Sequence, residues 1–318
     1  MTRQDGDAAD RGCGLAGGSA GEPAVKPFGE PFGKPAGGQD ILCAEEIRAA
    51  LLPRFARSEI VVKQTAGSTN DEAKLLAARG AGHGTIVAAE GQTGGRGRYA
   101  RGFYSPPGTG LYMSLILKTD IQSACAPLIT IAAAMAVCRA IADLTGFSPE
   151  IKWVNDIFLH GAKVCGILTE SASDPESGAL SHAVVGIGLN VSAPADGFPP
   201  ELRGKAGALY LEYKPDTGMH SQSACNAIAT RNALAARIAN ELLCICEGQG
   251  IAAREYMDEY RARSLVLGKE ISYTRGNERG YGIACGIDSD GRLLVRQKEG
   301  GIPIALDSGE VSIVVASG

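Results

Sequence analysis

The sequence predicts an α+β protein: a mixed β-sheet backed by helices over residues 40–263, then a small all-β module over residues 264–318. Three observations carry this prediction. Short apolar runs alternate with stretches of helical periodicity through the first region. Beyond Ser264 the helical period gives way to closely spaced short strands. Ahead of both, residues 1–39 hold ten glycines and four prolines, with the near-repeat Lys26-Pro27-Phe28-Gly29, Glu30-Pro31-Phe32-Gly33, Lys34-Pro35-Ala36-Gly37. Such a segment buries too little apolar surface to offset the entropy of ordering, so a disordered tail is expected.

Each element has a local reason. Asp40 is expected to cap a helix over Ile41 to Leu52, in which Ile47, Leu51 and Leu52 share a face and which Pro53 ends. Glu59 to Lys63 reads as a β-branched strand. Thr69 followed three residues later by Glu72 reads as a capping box before an alanine-rich helix ending at Gly80. Thr85 to Glu90 and Leu111 to Leu117 read as neighbouring strands, and Pro127 to Leu144 as an apolar core helix closed by Gly146. That run is broken by Thr130 and Arg139 and reads as too short and too polar to span a bilayer. Ile151 to Ile157 places the only tryptophan beside Lys152, Asn155 and Asp156, and strands are expected from Lys163 and at Ala183 to Leu189. A loop from Ser192 to about Ser221, with a short strand at Ala208 to Leu211, leads to helices over Ala224 to Gly248 and Ile251 to Arg261.

The final module should contain strands at Lys269 to Thr274, Arg279 to Ile287, Arg292 to Gln297, Ile302 to Leu306 and Val311 to Val315. Asp288-Ser289-Asp290-Gly291 supplies hairpin chemistry between two of them. A closed barrel would hide the edges of such short strands.

The loop between the strands at Thr85 and Leu111 organises the reading. From Gly91 to Gly102 it holds five glycines and three arginines, Arg96, Arg98 and Arg101, and no acidic residue. Glycine lets backbone approach a ligand closely, and arginine presents a planar fork of donors to carboxylate or phosphate oxygens. Gly95-Arg96-Gly97-Arg98-Tyr99-Ala100 satisfies the loose dinucleotide fingerprint, but the helix which that fingerprint needs is replaced by Tyr104-Ser105-Pro106-Pro107-Gly108 and a strand. A disordered RNA-binding segment would be longer and repetitive. The remaining reading is a loop over an anionic small-molecule intermediate.

Composition limits the alternatives. A formal charge of −4 and a pI near 5.7 argue against a general nucleic-acid or membrane binder. Nine cysteines without a C-x-x-C motif, with Cys138, Cys165 and Cys285 in apolar patterns, suggest free buried thiols in a reducing cytoplasm. No apolar run follows a basic stretch at the start, so no signal peptide is expected. His83, His160, His182 and His220 have no metal-ligand spacing.

Polar residues collect where apolar strands begin or end: Ser68-Thr69-Asn70 ahead of a helix, Gln92 before the loop, Lys152-Trp153-Val154-Asn155-Asp156, Lys163 with Gly166-Ile167-Leu168, and Gly188-Leu189-Asn190. With the Gly95-Arg96-Gly97-Arg98 loop and Arg101, their order and spacing resemble those of the biotin–protein ligases (biotin–[acetyl-CoA-carboxylase] ligases) from about Ile41 to Gly318. The resemblance implies a catalytic domain related to class II aminoacyl-tRNA synthetases, followed by an SH3-like barrel. It also implies a cytoplasmic enzyme that makes biotinyl-adenylate from biotin and ATP with Mg²⁺ and transfers biotin to a carrier-protein lysine. Carried onto this chain, Ser68, Thr69, Asn70 and Gln92 would hold the biotin ureido group. Arg96, Gly97 and Arg98 would order over the carboxylate and phosphate, with Lys163 binding both. Trp153, Asn155, Asp156 and Asn190 would line the nucleotide side, Asp156 towards Mg²⁺.

Departures from the family pattern are Val154 for proline, Tyr99 and Ala100 for arginine and glycine, and Phe103 for tryptophan. The Gly/Pro-rich tail stands where some members carry a helix-turn-helix, so a monofunctional ligase without DNA binding is expected. The expected partner is the biotin carboxyl carrier protein of a carboxylase, with no membrane association, and a homodimer is compatible with the resemblance. The rivals are a lipoate or octanoate ligase or transferase of the same fold, and a non-catalytic biotin sensor.

Overall fold

The computed structural model describes residues 40–118, 126–173, 180–210, 229–247, 251, 254–297 and 301–314. The tail expected to be disordered, the later part of the connection after Ser192 and the first residues of the helix expected from Ala224 lie outside these. In chain order the larger region comprises α1 (Ala44–Ala50), β1 (Ile60–Ala66), α2 (Thr69–Ala78), β2 (Ile86–Gln92), β3 (Gly110–Leu117), α3 (Ala126–Thr145), β4 (Glu150–Lys152), β5 (Asp156–Leu159), β6 (Ala162–Ser173), β7 (Leu180–Asn190), α4 (Arg231–Cys246) and α5 (Met257–Ala262). The smaller comprises β8 (Glu270–Arg275), β9 (Glu278–Ile287), β10 (Leu293–Arg296), β11 (Ile304–Leu306) and β12 (Glu310–Ile313).

Seven strands form one mixed sheet in the order β1-β2-β3-β7-β6-β5-β4. Only β1 and β2, joined through α2, run parallel; the other neighbours are antiparallel, β3 pairing with the sequence-distant β7. Side chains alternate across a strand, so the two faces read differently. Leu111, Met113, Leu115 and Leu117 of β3 join Val185, Ile187 and Leu189 of β7 in the main core with α1, α3 and α4. On the opposite face α2 lays Ala73 against Val87, Ile116 and Val184. The rest of that face is left for the site.

α3 is longer than the sequence suggested. Its 20 residues are long and apolar enough to cross a membrane by length and composition, but 72% of the apolar stretch is buried here against the sheet and α4. Ile129, Ile131, Met135, Val137 and Ile141 are fully buried, each contributing roughly 1.5–3 kcal/mol. The helix stops at Gly146, whose φ of 73° suits glycine.

Several local expectations are corrected. Asp40 does not cap α1: its carboxylate accepts from the backbone N–H and the guanidinium of Arg231, and α1 starts only after Cys43. Arg231 is 2% exposed and also binds Glu90 at 2.7 Å, tying the start of the described chain to β2 and α4. Such a buried pair costs about 3–5 kcal/mol to break from one side. Among the described residues α4 begins at Arg231, where Thr230 caps it by accepting from Ala233 N–H. There is no capping box on α2: Ser68 is the N-cap without a side-chain bond, and Glu72 pairs with Lys63 at 2.7 Å. Cys138 and Cys165 are buried as expected, with burial raising both thiols, but Cys285 is exposed, because it falls on the outward side of β9.

The five-stranded antiparallel sheet of the smaller module has the order β11-β10-β9-β8-β12, with the Asp288–Gly291 turn between β9 and β10 as expected. Trp153 binds it to the larger sheet. Its indole N–H donates to Gly291 O at 2.9 Å, and Gly291 packs so closely on Ile131 that a Cβ would lie 2.2 Å from it.

Candidate active site

The site grows from a glycine floor. Gly166 of β6 pairs with Gly188 of β7, and Gly186 lies two residues back on the same face. The absence of side chains there admits others. A Cβ on Gly186 would lie 2.1 Å from Asn70 Oδ1, and one on Gly188 would lie 2.6 Å from the ring of Phe103. Over this floor lies a cavity of about 610 Å³. It is lined by all the residues singled out from the sequence: Ser68, Thr69, Asn70, Gln92, Arg96, Gly97, Arg98, Arg101, Trp153, Asn155, Asp156, Lys163 and Asn190.

At the inner end the helix start of α2 meets β2 and β3. Thr69 N–H donates to Gln92 Oε1 at 2.9 Å, satisfying one of the free donors of the helix N-terminus. Gln92 Nε2 donates to Ser105 Oγ at 3.0 Å, and Ser105 in turn donates to Phe103 O at 2.9 Å. Asn70 Nδ2 donates to Leu168 O and to Glu170 Oε2, at 3.2 and 2.9 Å.

The arginine loop forms a hairpin-like flap. Arg96 and Gly102 make an isolated antiparallel bridge, Phe103 N–H donates to Gly95 O at 2.8 Å, and Gly97 N–H donates to Arg101 O at 2.7 Å. At the tip Tyr99 and Ala100 both have φ of 56°, a left-handed conformation costing a residue with a Cβ roughly 1–2 kcal/mol.

The loop carries no acid of its own, yet the fold supplies acids from elsewhere. Arg96 pairs with Asp71 of α2 at 2.7 Å and Glu170 of β6 at 2.8 Å. Arg101 makes a two-pronged pair with Glu310 of β12. Arg98 has no carboxylate partner among the described residues. Its guanidinium donates to Asn155 Oδ1 and Gly309 O, each at 3.0 Å, and to Tyr99 Oη, and it stacks 4.9 Å from the Tyr99 ring. The smaller sheet therefore walls the cavity at Gly309 and Glu310, which sequence reasoning missed.

Lys163 opens β6 with its ammonium 2.6 Å from Asp156 Oδ1. Charge is balanced at that distance, so the ammonium engages Oδ1 even though the angle is poor for a hydrogen bond. Asn155 is held on both sides, its Nδ2 donating to Ile167 O at 2.9 Å. Asn190 donates to Gly207 O at 2.9 Å, fixing the returning chain against β7. Among the described residues no three His, Cys, Asp or Glu side chains group to cage a metal.

Glu170 is another residue the sequence did not single out. Burial pushes its carboxyl up, but the hydrogen bonds from Asn70 and Lys74 and the charge of Arg96 outweigh this and hold it below the ordinary glutamate range. Trp153 is buried, with its polar edge turned to the smaller sheet, so only part of it faces the cavity. The Phe103 ring lies on the floor at 6.5 Å, edge-on, from Tyr112.

Known proteins share this arrangement of elements. Residues 61–190 match the profile of the biotin/lipoate A/B protein ligase family, and residues 266–314 match that of the biotin protein ligase C terminal domain. The bifunctional ligase/repressor BirA of Bacillus spizizenii is 34% identical over 267 residues, covering 81% of this chain and 76% of that protein. The biotin--[acetyl-CoA-carboxylase] ligase of Mycobacterium tuberculosis is 32% identical over 257 residues, covering 79% and 87%. In fold, the biotin protein ligase from Aquifex aeolicus in complex with biotin and ATP aligns with a TM-score of 0.62 at 24% identity, covering 80% of this chain and 99% of that one.

Proposed function

The chain belongs to the biotin/lipoate A/B protein ligase family, and from that premise we propose that it is a biotin–protein ligase: it activates biotin with ATP as biotinyl-5′-adenylate and transfers the biotinyl group to a lysine of a biotin carboxyl carrier protein. One observation carries the assignment of the site. Arg96, Arg98 and Lys163 line the same cavity, above a floor that glycines leave open.

The chemistry follows from charge. A carboxylate is a poor acyl donor, and it repels the phosphate it must attack. In the first step a biotin carboxylate oxygen forms a bond to the α-phosphorus of ATP while the bond to the β-phosphate oxygen breaks and pyrophosphate leaves. Arg96, Arg98 and Lys163 offset the repulsion and stabilise charge on the phosphorus oxygens, preorganised donors of this kind contributing about 2.7–4 kcal/mol each. Asp156, a carboxylate that lines the cavity beside Lys163, would hold Mg²⁺, which would supply further charge stabilisation when bound. In the second step the ε-amine of the carrier lysine attacks the acyl carbon, an amide forms and AMP leaves. The flap over the cavity keeps water from the mixed anhydride.

At the inner end Ser68, Thr69 and Gln92 present polar atoms to the ureido group. Asn70 supports them, because both of its amide hydrogens are engaged by Leu168 and Glu170. Asn155, Asn190 and part of Trp153 line the nucleotide side. We place the boundary between the catalytic domain and the smaller module near residue 264. The enzyme would act in the cytoplasm, where its carrier partner resides.

Lipoate is the nearest rival substrate. Its dithiolane ring is apolar and offers no polar atom to the buried Ser68 and Thr69 that line the inner end of the cavity, whereas a cyclic urea does. Incubation with radiolabelled biotin, ATP and a biotin carrier domain tests the reading. Label should become attached to the carrier only when ATP is present; ATP-independent binding without transfer would favour a sensor, and transfer of lipoate in preference to biotin would overturn the assignment.

A further inference from the structure

Resting on the biotin reading, we propose that Tyr99, at the flap tip, is a positioning residue that holds the Arg98 guanidinium ready for the nucleotide phosphates. Two observations single it out. Its backbone sits at φ 56° and ψ 40°, in the left-handed region, where glycine would carry no Cβ strain. Its side chain lines the cavity yet the residue is 56% exposed, so burial of apolar surface does not explain a tyrosine there. A bulky residue kept at a strained, solvent-facing position points to a task for its side chain.

That side chain meets Arg98. Arg98 Nη2 donates to Tyr99 Oη at 2.9 Å, and Arg98 Cζ lies 4.9 Å from the centroid of the Tyr99 ring. A guanidinium has only donors, so the direction of this bond is fixed. Nη2 also donates to Gly309 O, and Nη1 donates to Asn155 Oδ1, each at 3.0 Å. Among the described residues no bond takes Nε–H or the second Nη1 hydrogen, and both remain for a ligand oxygen. All three acceptors are neutral, so the charge is oriented without being offset. Arg96 and Arg101, by contrast, are held by carboxylates.

The three contacts do different things. Asn155 and Gly309 belong to the body of the protein and hold Arg98 only where the flap lies as seen here. Tyr99 travels with Arg98 on the flap, so its ring and phenol oxygen restrain the long arginine side chain wherever the flap goes. A phosphate then meets a guanidinium whose rotamers are already restricted, and less conformational entropy is lost on binding. An arginine at position 99, as in the family pattern, would instead set a second cation beside the first.

The test measures the KM of ATP in biotin-dependent pyrophosphate exchange, using the full-length chain. Tyr99→Leu should raise it about tenfold, and Tyr99→Phe, which keeps the ring and loses the oxygen, about threefold. Tyr99→Gly separates this role from one in shaping the flap. Glycine takes up the observed φ without strain, so a residue needed only for the bend would be matched or bettered by it; the proposal requires Tyr99→Gly to be as impaired as Tyr99→Leu. In an Arg98→Gly background Tyr99→Leu should change the KM of ATP by less than about twofold, because the side chain it positions is gone. A wild-type KM in Tyr99→Gly, or a tenfold effect of Tyr99→Leu that persists without Arg98, overturns the proposal. Absence of biotin-dependent exchange in the wild-type chain itself would instead remove the biotin reading, and the proposal with it.

Discussion

The ammonium of Lys163 lies 2.6 Å from Oδ1 of Asp156 across the bulged pairing of β5 and β6. This pair holds the lysine side chain in place before any anion arrives. Lys163→Ala should lower biotin-dependent ATP–pyrophosphate exchange by about 10²–10³-fold. Exchange within a few fold of wild type would remove Lys163 from the reacting centre.

Arg98 joins the flap to both sheets, through Asn155 on one side and Gly309 on the other. Cutting those ties should affect retention of the intermediate more than its formation. Arg98→Gly is expected to make adenylate but release it, so that exposed lysines of bystander proteins acquire biotin. A timed adenylate-release assay reads this directly, and release as slow as in wild type would contradict it.

Ala100 holds a φ of 56°, which glycine adopts without a Cβ penalty. Ala100→Gly should stabilise the observed flap by up to about 1 kcal/mol, the relieved steric cost being partly cancelled by the greater freedom of glycine in the open state. Limited proteolysis between Arg96 and Arg101 without ligands should then be slower than in wild type. Faster cleavage would mean that the flap adopts a different tip conformation in solution.

Glu170 gives a pH signature. Because its folded-state carboxyl is held below the ordinary range, its contribution to stability is complete above the unfolded glutamate pKa, about 4.3, and is lost as pH falls below that value. Protonation would also release Arg96. Thermal unfolding of wild type and Glu170→Gln should therefore differ most near neutral pH and converge in acid. A difference that stayed constant down to the lowest pH would show that Glu170 is not ionised by its neighbours.

Local chemistry made much of this legible in the sequence. Gly91 to Gly102 announces a flap because glycine and arginine there have no core to serve, and Lys163, Asn155 and Asn190 stand out because they interrupt apolar strands at their ends. The change of period near Ser264 reveals the smaller module. What stayed hidden depends on pairing between distant segments. The flap reads as uncompensated until the sheet brings Glu170 and the smaller module brings Glu310 against it. Asp40 reads as a cap because its true partner, Arg231, is 191 residues away. Ser114 reads as one small residue in an apolar strand; only its register opposite Gly186, beside the start of α2, brings its hydroxyl within 2.8 Å of Thr69 Oγ1.

A crystal structure of this chain with biotin and a non-hydrolysable ATP analogue tests the central claim most directly. The account predicts the biotin carboxylate and the α-phosphate within hydrogen-bonding distance of Lys163 and of the guanidinium groups of Arg96 and Arg98, above Gly166 and Gly188. Both ligands bound elsewhere, with those three cations still facing only their present protein partners, would contradict it.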